Sequence, residues 1–357
     1  MFLAVMFVNI ALIGVAVSAF AYFAENRLPK TRGQFLPHDN LVFYKKYSDQ
    51  LNHLRDFDFP AKLHHSVNAT KTDFLFTKVG HGRAQVLIQG DSWTEQFVTN
   101  VPSLSSLQNF SEDHAVEFIV AGITSFSPSV MQAQYRLLRQ DFGINPQVVV
   151  GVFDQTDIGD ELCRYKKQLS VSAEGELIVK PYTGDLIVPY HLESYFNVVE
   201  ILDSEGSALT RLLKYKLATL KPREKGGCWG EILSPLSNGL SELDQRYVVE
   251  RIGKYIDEIF RNYDSAQPPK QLILVTHFHK KHLSGEYKTT VAQLVSAAVM
   301  QSKHQAKIVQ LNFLPEDYLK ENLDNIFVKD DPFSHLTDYY HRKIFTKRIL
   351  NQIKLGL

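Results

Sequence analysis

A serine, a histidine and an aspartate stand at places in this chain where they can do chemistry together. Gly90-Asp91-Ser92-Trp93-Thr94 follows the apolar run Gln85–Gln89, which puts a hydroxyl where a strand gives way to a helix and free backbone N–H groups collect. Near the end of the chain, Asp331-Pro332-Phe333-Ser334-His335 offers an imidazole with a carboxylate close by. A nucleophilic serine needs a base to take its proton and a carboxylate to orient that base. Ser92, His335 and Asp331 fill these roles, with Asp330 as the alternative carboxylate. Two further turns, Gly122-Ile123-Thr124 and Asp154-Gln155-Thr156-Asp157, also follow apolar runs. Each residue has a plainer reading too, the acids and Ser92 as helix caps and Gly122 as a tight turn.

The elements that must position these residues read as alternating strands and helices, the pattern of an α/β domain with a central parallel sheet. Strands are expected at Gln85–Gln89, Val116–Ala121, Gln147–Phe153, Gln271–Thr276 and Lys307–Phe313, each nearly continuous in apolar residues as if covered on both faces. Helical spacing marks Ser129–Gln140, Ser241–Tyr263, Thr289–Lys303 and Leu336–Ile353. Ligands of such sheets bind beyond the carboxyl ends of the strands, where the four turns lie. Residues 161–240 interrupt the alternation and read as an insertion. Within it a hairpin is expected, Leu169–Ala173 with Glu176–Val179 across the two-residue turn Glu174-Gly175.

Taken together, these blocks resemble the SGNH, or GDSL-type, hydrolase superfamily. Gly90-Asp91-Ser92 is similar to its first block and Gly122 to its second. Thr156-Asp157 stands where the third usually has Asn-Asp, and Asp331 to His335 resembles the terminal block, with one residue more than the usual spacing. The resemblance covers roughly residues 85–160 and 270–350. It implies a three-layer α/β/α, flavodoxin-like sandwich and a site that forms or cleaves esters through Ser92, His335 and Asp331. The implied oxyanion donors are the backbone N–H groups of Ser92 and Gly122 and the side chain of Thr156, which offers a hydroxyl in place of an amide. Membrane-tethered members of the family act on envelope polysaccharides, often beside a multi-pass membrane acyltransferase. The implied substrate is a short acyl ester, such as acetyl, on a cell-surface glycan. Esterase and O-acyltransferase stay open.

Other residues invite other chemistry. His277-Phe278-His279-Lys280-Lys281-His282 follows the fourth strand, and three histidines so close suggest a metal-dependent hydrolase, with Asp157 as a further ligand. Against this, Lys280 and Lys281 repel a cation, so the expectation is no metal and no cofactor, with Trp93, Asp157, His277 and His279 lining the substrate. A non-catalytic assembly subunit, silenced at Thr156 and gripping a partner through the insertion, is the other alternative. His64-His65 read as exposed polar residues, and Trp229 as core or sugar-stacking surface. Asn68-Ala69-Thr70 and Asn109-Phe110-Ser111 match the glycosylation pattern.

Length and composition bound these readings. The 357 residues, 44% hydrophobic and 22% charged, suffice for a large globular body. The 39 basic and 39 acidic residues cancel, so no global field favours nucleic acid as a partner. Cys163 and Cys228 permit one disulfide, in an oxidising compartment. Phe2 to Phe23 carries no charge and is long enough to span a bilayer. Residues 1–24 therefore read as a transmembrane anchor, or as a signal peptide ending near Ala19-Phe20-Ala21. Residues 25–84 form a neck and residues 85–357 the body, facing the periplasm or the outside of the cell.

Overall fold

The computed structural model describes residues 76–123, 126–140, 142–167, 169–173, 175–179, 239–263, 267–318, 321, 325–329, 331 and 333–357. The apolar segment 1–24, His64, His65, the acceptor Asn68, Trp229, Cys228 and Asp330 lie outside them. Among the described residues no helix is long and apolar enough to cross a membrane.

The domain is α/β, with a mostly parallel central sheet. Its strands are β1 (Thr77–Val79), β2 (Ala84–Gly90), β3 (Val116–Gly122), β4 (Val148–Phe153), β7 (Gln271–His277) and β8 (Ile308–Phe313), in the spatial order β1-β3-β2-β4-β7-β8. A separate hairpin pairs β5 (Leu169–Val171) with β6 (Leu177–Val179). All neighbours in the large sheet run parallel except β1, which is antiparallel to β3.

Alternate strand residues feed two separate cores, as expected for strands covered on both faces. Leu87, Val149, Leu272 and Leu274 pack against α3 (Pro128–Gln140), α5 (Glu242–Ile259) and α7 (Val291–Gln301). Val86, Ile88, Val150, Ile273 and Val275 pack against α1 (Ser92–Thr99), α2 (Val101–His114) and the C-terminal helices α8 (Asp338–Tyr340) and α9 (Lys347–Gly356). Two packed faces are compatible with a three-layer sandwich.

Several boundaries differ from the sequence expectation. Residues 77–79, assigned above to the neck, join the sheet as an edge strand too short to carry a periodicity. The hairpin register pairs Val171 with Leu177, and the Ser172 N–H donates to the Glu176 carbonyl at 2.8 Å, so Ala173 does not pair with Glu176 as the two-residue turn requires. Ser241 is the cap of its helix, not its first residue; its hydroxyl accepts the Asp244 N–H. The final helix begins at Asp338 and runs through a π turn, His341–Thr346, before α9. Leu336 instead bridges Phe327 across the loop that carries His335. Where the interrupting segment begins, α4 (Gln155–Gly159) continues into the π turn Asp160–Tyr165. There Glu161 accepts from Ser129 and Tyr247.

Candidate active site

Ser92 opens α1 directly after β2. The Asp91 carboxylate caps this helix by accepting the Trp93 N–H at 2.9 Å. Glycine at 90 and 122 lets the first turn of α1 lie against the strand ends. A Cβ at Gly90 would fall 2.2 Å from Thr94 Oγ1, and one at Gly122 would fall 2.5 Å from Thr94 Cβ and 2.6 Å from the Glu95 nitrogen. Gly90 and Gly122 are register partners, so the turn carrying Ser92 is seated across two strands. As the first helical residue, Ser92 has a backbone N–H with no intrahelical acceptor.

The loop carrying His335 closes on Ser92. His335 Nε2 lies 2.6 Å from Ser92 Oγ, and its Nδ1 lies 2.7 Å from Asp331 Oδ2. With a carboxylate facing Nδ1, that nitrogen carries the proton, and Nε2 is left to accept the hydroxyl hydrogen of Ser92. Asp331 also accepts the Phe333 N–H at 3.0 Å and the His335 N–H at 2.6 Å. The loop thus wraps around its own carboxylate, and the additional residue between Asp331 and His335 does not separate them. Ser334, immediately before the histidine, is buried with φ 60. This left-handed conformation costs a residue with a Cβ about 1–2 kcal/mol, so the surrounding contacts must hold it.

Electrostatics match this geometry. Burial pulls the His335 imidazole toward the neutral form, but the hydrogen bond and charge of Asp331, with Asp91 and Asp154 beyond, outweigh it and raise its pKa above 6.5. For Asp331, burial pushes the carboxyl up. The hydrogen bond and charge of His335 and two backbone N–H groups overcome that and hold it at about 2.

Beneath Ser92 lies a buried acid cluster. Asp91, Asp154 and Asp157 bring carboxylate oxygens within 4.8 Å of one another. Asp154 caps α4 by accepting the N–H groups of Thr156 and Asp157, and Asp157 accepts the Asp154 N–H in return, a capping box. Burial raises all three carboxyls first, and mutual repulsion raises Asp154 and Asp157 further. The Thr156 hydroxyl, expected as an oxyanion donor, lies 2.6 Å from Asp154 Oδ1 and 3.2 Å from Asp91 Oδ2, so these carboxylates compete for its single hydrogen.

Comparison with protein-family models and with curated proteins finds no match for this sequence. The site's own geometry therefore carries the functional reading.

The expected substrate-lining residues are not at the surface. Trp93 is 1% exposed and forms a wall behind the site, its ring centroid 4.7 Å from His277 and 6.1 Å from His335. His277, 2% exposed, faces the Phe278 carbonyl through Nδ1 and the Tyr318 hydroxyl through Nε2. Burial pushes its pKa down to about 3, so it stays neutral. His279, also 2% exposed, caps the short helix α6 (Lys280–Leu283) by accepting the Lys281 N–H. His282 faces the Thr289 carbonyl through Nε2. Asp157 is fully buried. The three histidines thus serve packing and capping, and their ring nitrogens do not form one of the groups whose ligand atoms converge among the described residues.

Three residues at the site have no site role in the sequence reading, where Phe333 enters only as part of the terminal block and Lys280 only as a charge that repels a cation. Phe333 is half-buried and stands edge-on to His335 at 6.3 Å. Gln96 and Lys280 each bind the backbone of the histidine loop. Phe333 carries a usable signal, an aromatic between the two catalytic candidates. The other two carry none, since their partners are 240 and 51 positions away.

Proposed function

We propose that this chain is a serine esterase or O-acyltransferase of the SGNH type, with Ser92 as nucleophile, His335 as general base and Asp331 as the residue orienting it. The observation that carries this reading is the continuous line from Ser92 Oγ to His335 Nε2 and from His335 Nδ1 to Asp331 Oδ2, at 2.6 and 2.7 Å. Strand order adds support. The parallel strands β3-β2-β4-β7-β8 follow the flavodoxin-like order 2-1-3-4-5, and Ser92 follows β2, the strand beside which that order reverses.

In this mechanism Ser92 Oγ attacks an ester carbonyl while its proton passes to His335 Nε2. The tetrahedral oxyanion rests on the Ser92 and Gly122 N–H groups. Collapse expels the alcohol, which takes the proton from His335 and leaves an acyl-serine. Water or a sugar hydroxyl, deprotonated by His335, then releases the acyl group. Water makes the protein an esterase and sugar makes it a transferase.

The substrate within this proposal is a short acyl ester of a cell-surface glycan. The protein would be held at the membrane by residues 1–24 with its body in the periplasm or outside the cell. The disulfide at Cys163 supports an oxidising compartment. A second reading, a non-catalytic subunit beside a multi-pass acyltransferase, is favoured by the Thr156 hydroxyl, whose commitment to Asp154 leaves the oxyanion one donor short.

The test is intact-mass analysis of the full-length chain after a serine-directed fluorophosphonate, alongside Ser92→Ala and His335→Ala. A single adduct that both substitutions abolish supports the enzyme. A folded wild type with no adduct overturns it and leaves the subunit reading.

A further inference from the structure

We propose that Lys280 is a positioning residue that fixes the catalytic loop through both its backbone and its side chain. The inference rests on the serine-enzyme reading only for its kinetic readout. Lys280 is the first residue of α6, so its N–H has no intrahelical acceptor. That N–H donates to Ser334 Oγ at 3.2 Å, and the Lys280 ammonium donates to the Asp331 backbone carbonyl. One residue therefore holds the loop at the carboxylate end and again beside the histidine.

The contacts matter because the loop's own bonds tie it into one unit. Among the described residues the Asp331 carboxylate binds groups of its own loop, the N–H groups of Phe333 and His335 and the His335 ring. These bonds hold the shape of the loop but not its distance from Ser92. Ser334 is buried in the left-handed region, a conformation that external contacts must maintain. Lys280 supplies two such contacts from the end of β7. Its neighbour Lys281 has a different role, pairing with Glu286 at 2.6 Å. The charged groups that set the state of His335 are Asp331, Asp91 and Asp154. A loop that swings away from Ser92 carries Asp331 with it but leaves Asp91 and Asp154 behind.

The experiment compares full-length wild type, Lys280→Met, Lys280→Arg and Ser334→Ala. It reads thermal stability, the rate of Ser92 phosphonylation, and the titration midpoint of His335 by NMR of labelled histidine. Misplacement of a catalytic group by about 1 Å costs up to about a hundredfold, so Lys280→Met is expected to slow phosphonylation at least tenfold. The His335 midpoint should move away from its wild-type value, because both its burial and its distance from Asp91 and Asp154 change. Lys280→Arg, which keeps a cationic donor, restores most of the rate. Ser334→Ala shows a smaller loss of the same kind and stands in if Lys280→Met fails to fold. Folded variants with wild-type rates and midpoints overturn the proposal. A wild type that does not react at all sinks the enzyme reading instead. In that case a shifted His335 midpoint in the variants still supports Lys280, and an unchanged one removes it as well.

Discussion

Gln96 Nε2 donates to the backbone carbonyl of Leu336 at 2.9 Å, one helical turn beyond the contact between Ser92 and His335. Asn100, at the start of α2, continues the series by donating to Asp338 Oδ1 at 2.8 Å. Residues 92, 96 and 100 thus meet residues 335, 336 and 338 in step. The four-residue spacing of a helix face is matched to the segment that enters the C-terminal helices. Gln96→Leu removes the middle rung while keeping similar volume. It is expected to cost about 1 kcal/mol in chemical denaturation and to slow Ser92 phosphonylation several-fold.

Reactivity should depend on pH through His335. The base must be neutral to accept the Ser92 proton, and its pKa is raised above 6.5, chiefly by Asp331 once burial is overcome. Phosphonylation is therefore expected to rise with pH along a single curve whose midpoint lies above 6.5. Stability runs the other way. The charged imidazole's contribution is present below 6.5 and is lost as pH rises through the folded midpoint. That of Asp331 is present above 3.8 and is lost as pH falls toward about 2. His335→Gln should thus cost more stability near pH 5 than near pH 9, measured by thermal melts.

Thr156→Asn restores a side chain with two N–H donors. One can satisfy Asp154, and the other is free for the oxyanion. A missing donor of this kind costs about 10²–10³ in turnover in a serine protease. The variant is expected to hydrolyse a small aryl acetate faster than wild type by a substantial part of that factor, with Ser92→Ala added as the blank. Equal rates would mean that the amide does not reach the oxyanion.

Asp157 is a destabilising charge. Burial and the repulsion of Asp91 and Asp154 raise its pKa well above 3.8, so the unfolded chain ionises it more easily than the folded one. Asp157→Asn keeps an oxygen for the Asp154 N–H and removes the ionisation. Its stability gain should be near zero below about pH 4 and reach about 1 kcal/mol or more at neutral pH, seen as a rising difference in melting temperature.

Chelation should leave phosphonylation of Ser92 unchanged, because His277, His279 and His282 are engaged in packing and capping. His277→Ala is expected to lower stability by about 2–4 kcal/mol. It removes a buried ring and leaves the Tyr318 hydroxyl without its partner.

Much of the fold was legible because a doubly covered parallel strand must be apolar throughout. The five runs from Gln85–Gln89 to Lys307–Phe313 match β2, β3, β4, β7 and β8 to within one residue at each end. Ser92, Asp331 and His335 were legible as residue types at the turns that follow such strands or precede the last helix. Thr77–Val79 was not, since three residues carry no periodicity and their pairing with β3 reaches across the chain.

By itself the sequence determined the α/β layering, the order of the strands along the chain, and which turns hold groups able to act as nucleophile, base and carboxylate. Local composition decides these, through apolar periodicity and helix capping. Tertiary structure alone decided what each group faces. It turned Trp93, His277, His279 and Asp157 inward, aimed the Thr156 hydroxyl at Asp154, and brought Lys280 to the Asp331 loop. Burial and hydrogen-bond partnership depend on neighbours supplied by other strands and helices, and separation along the chain does not record them.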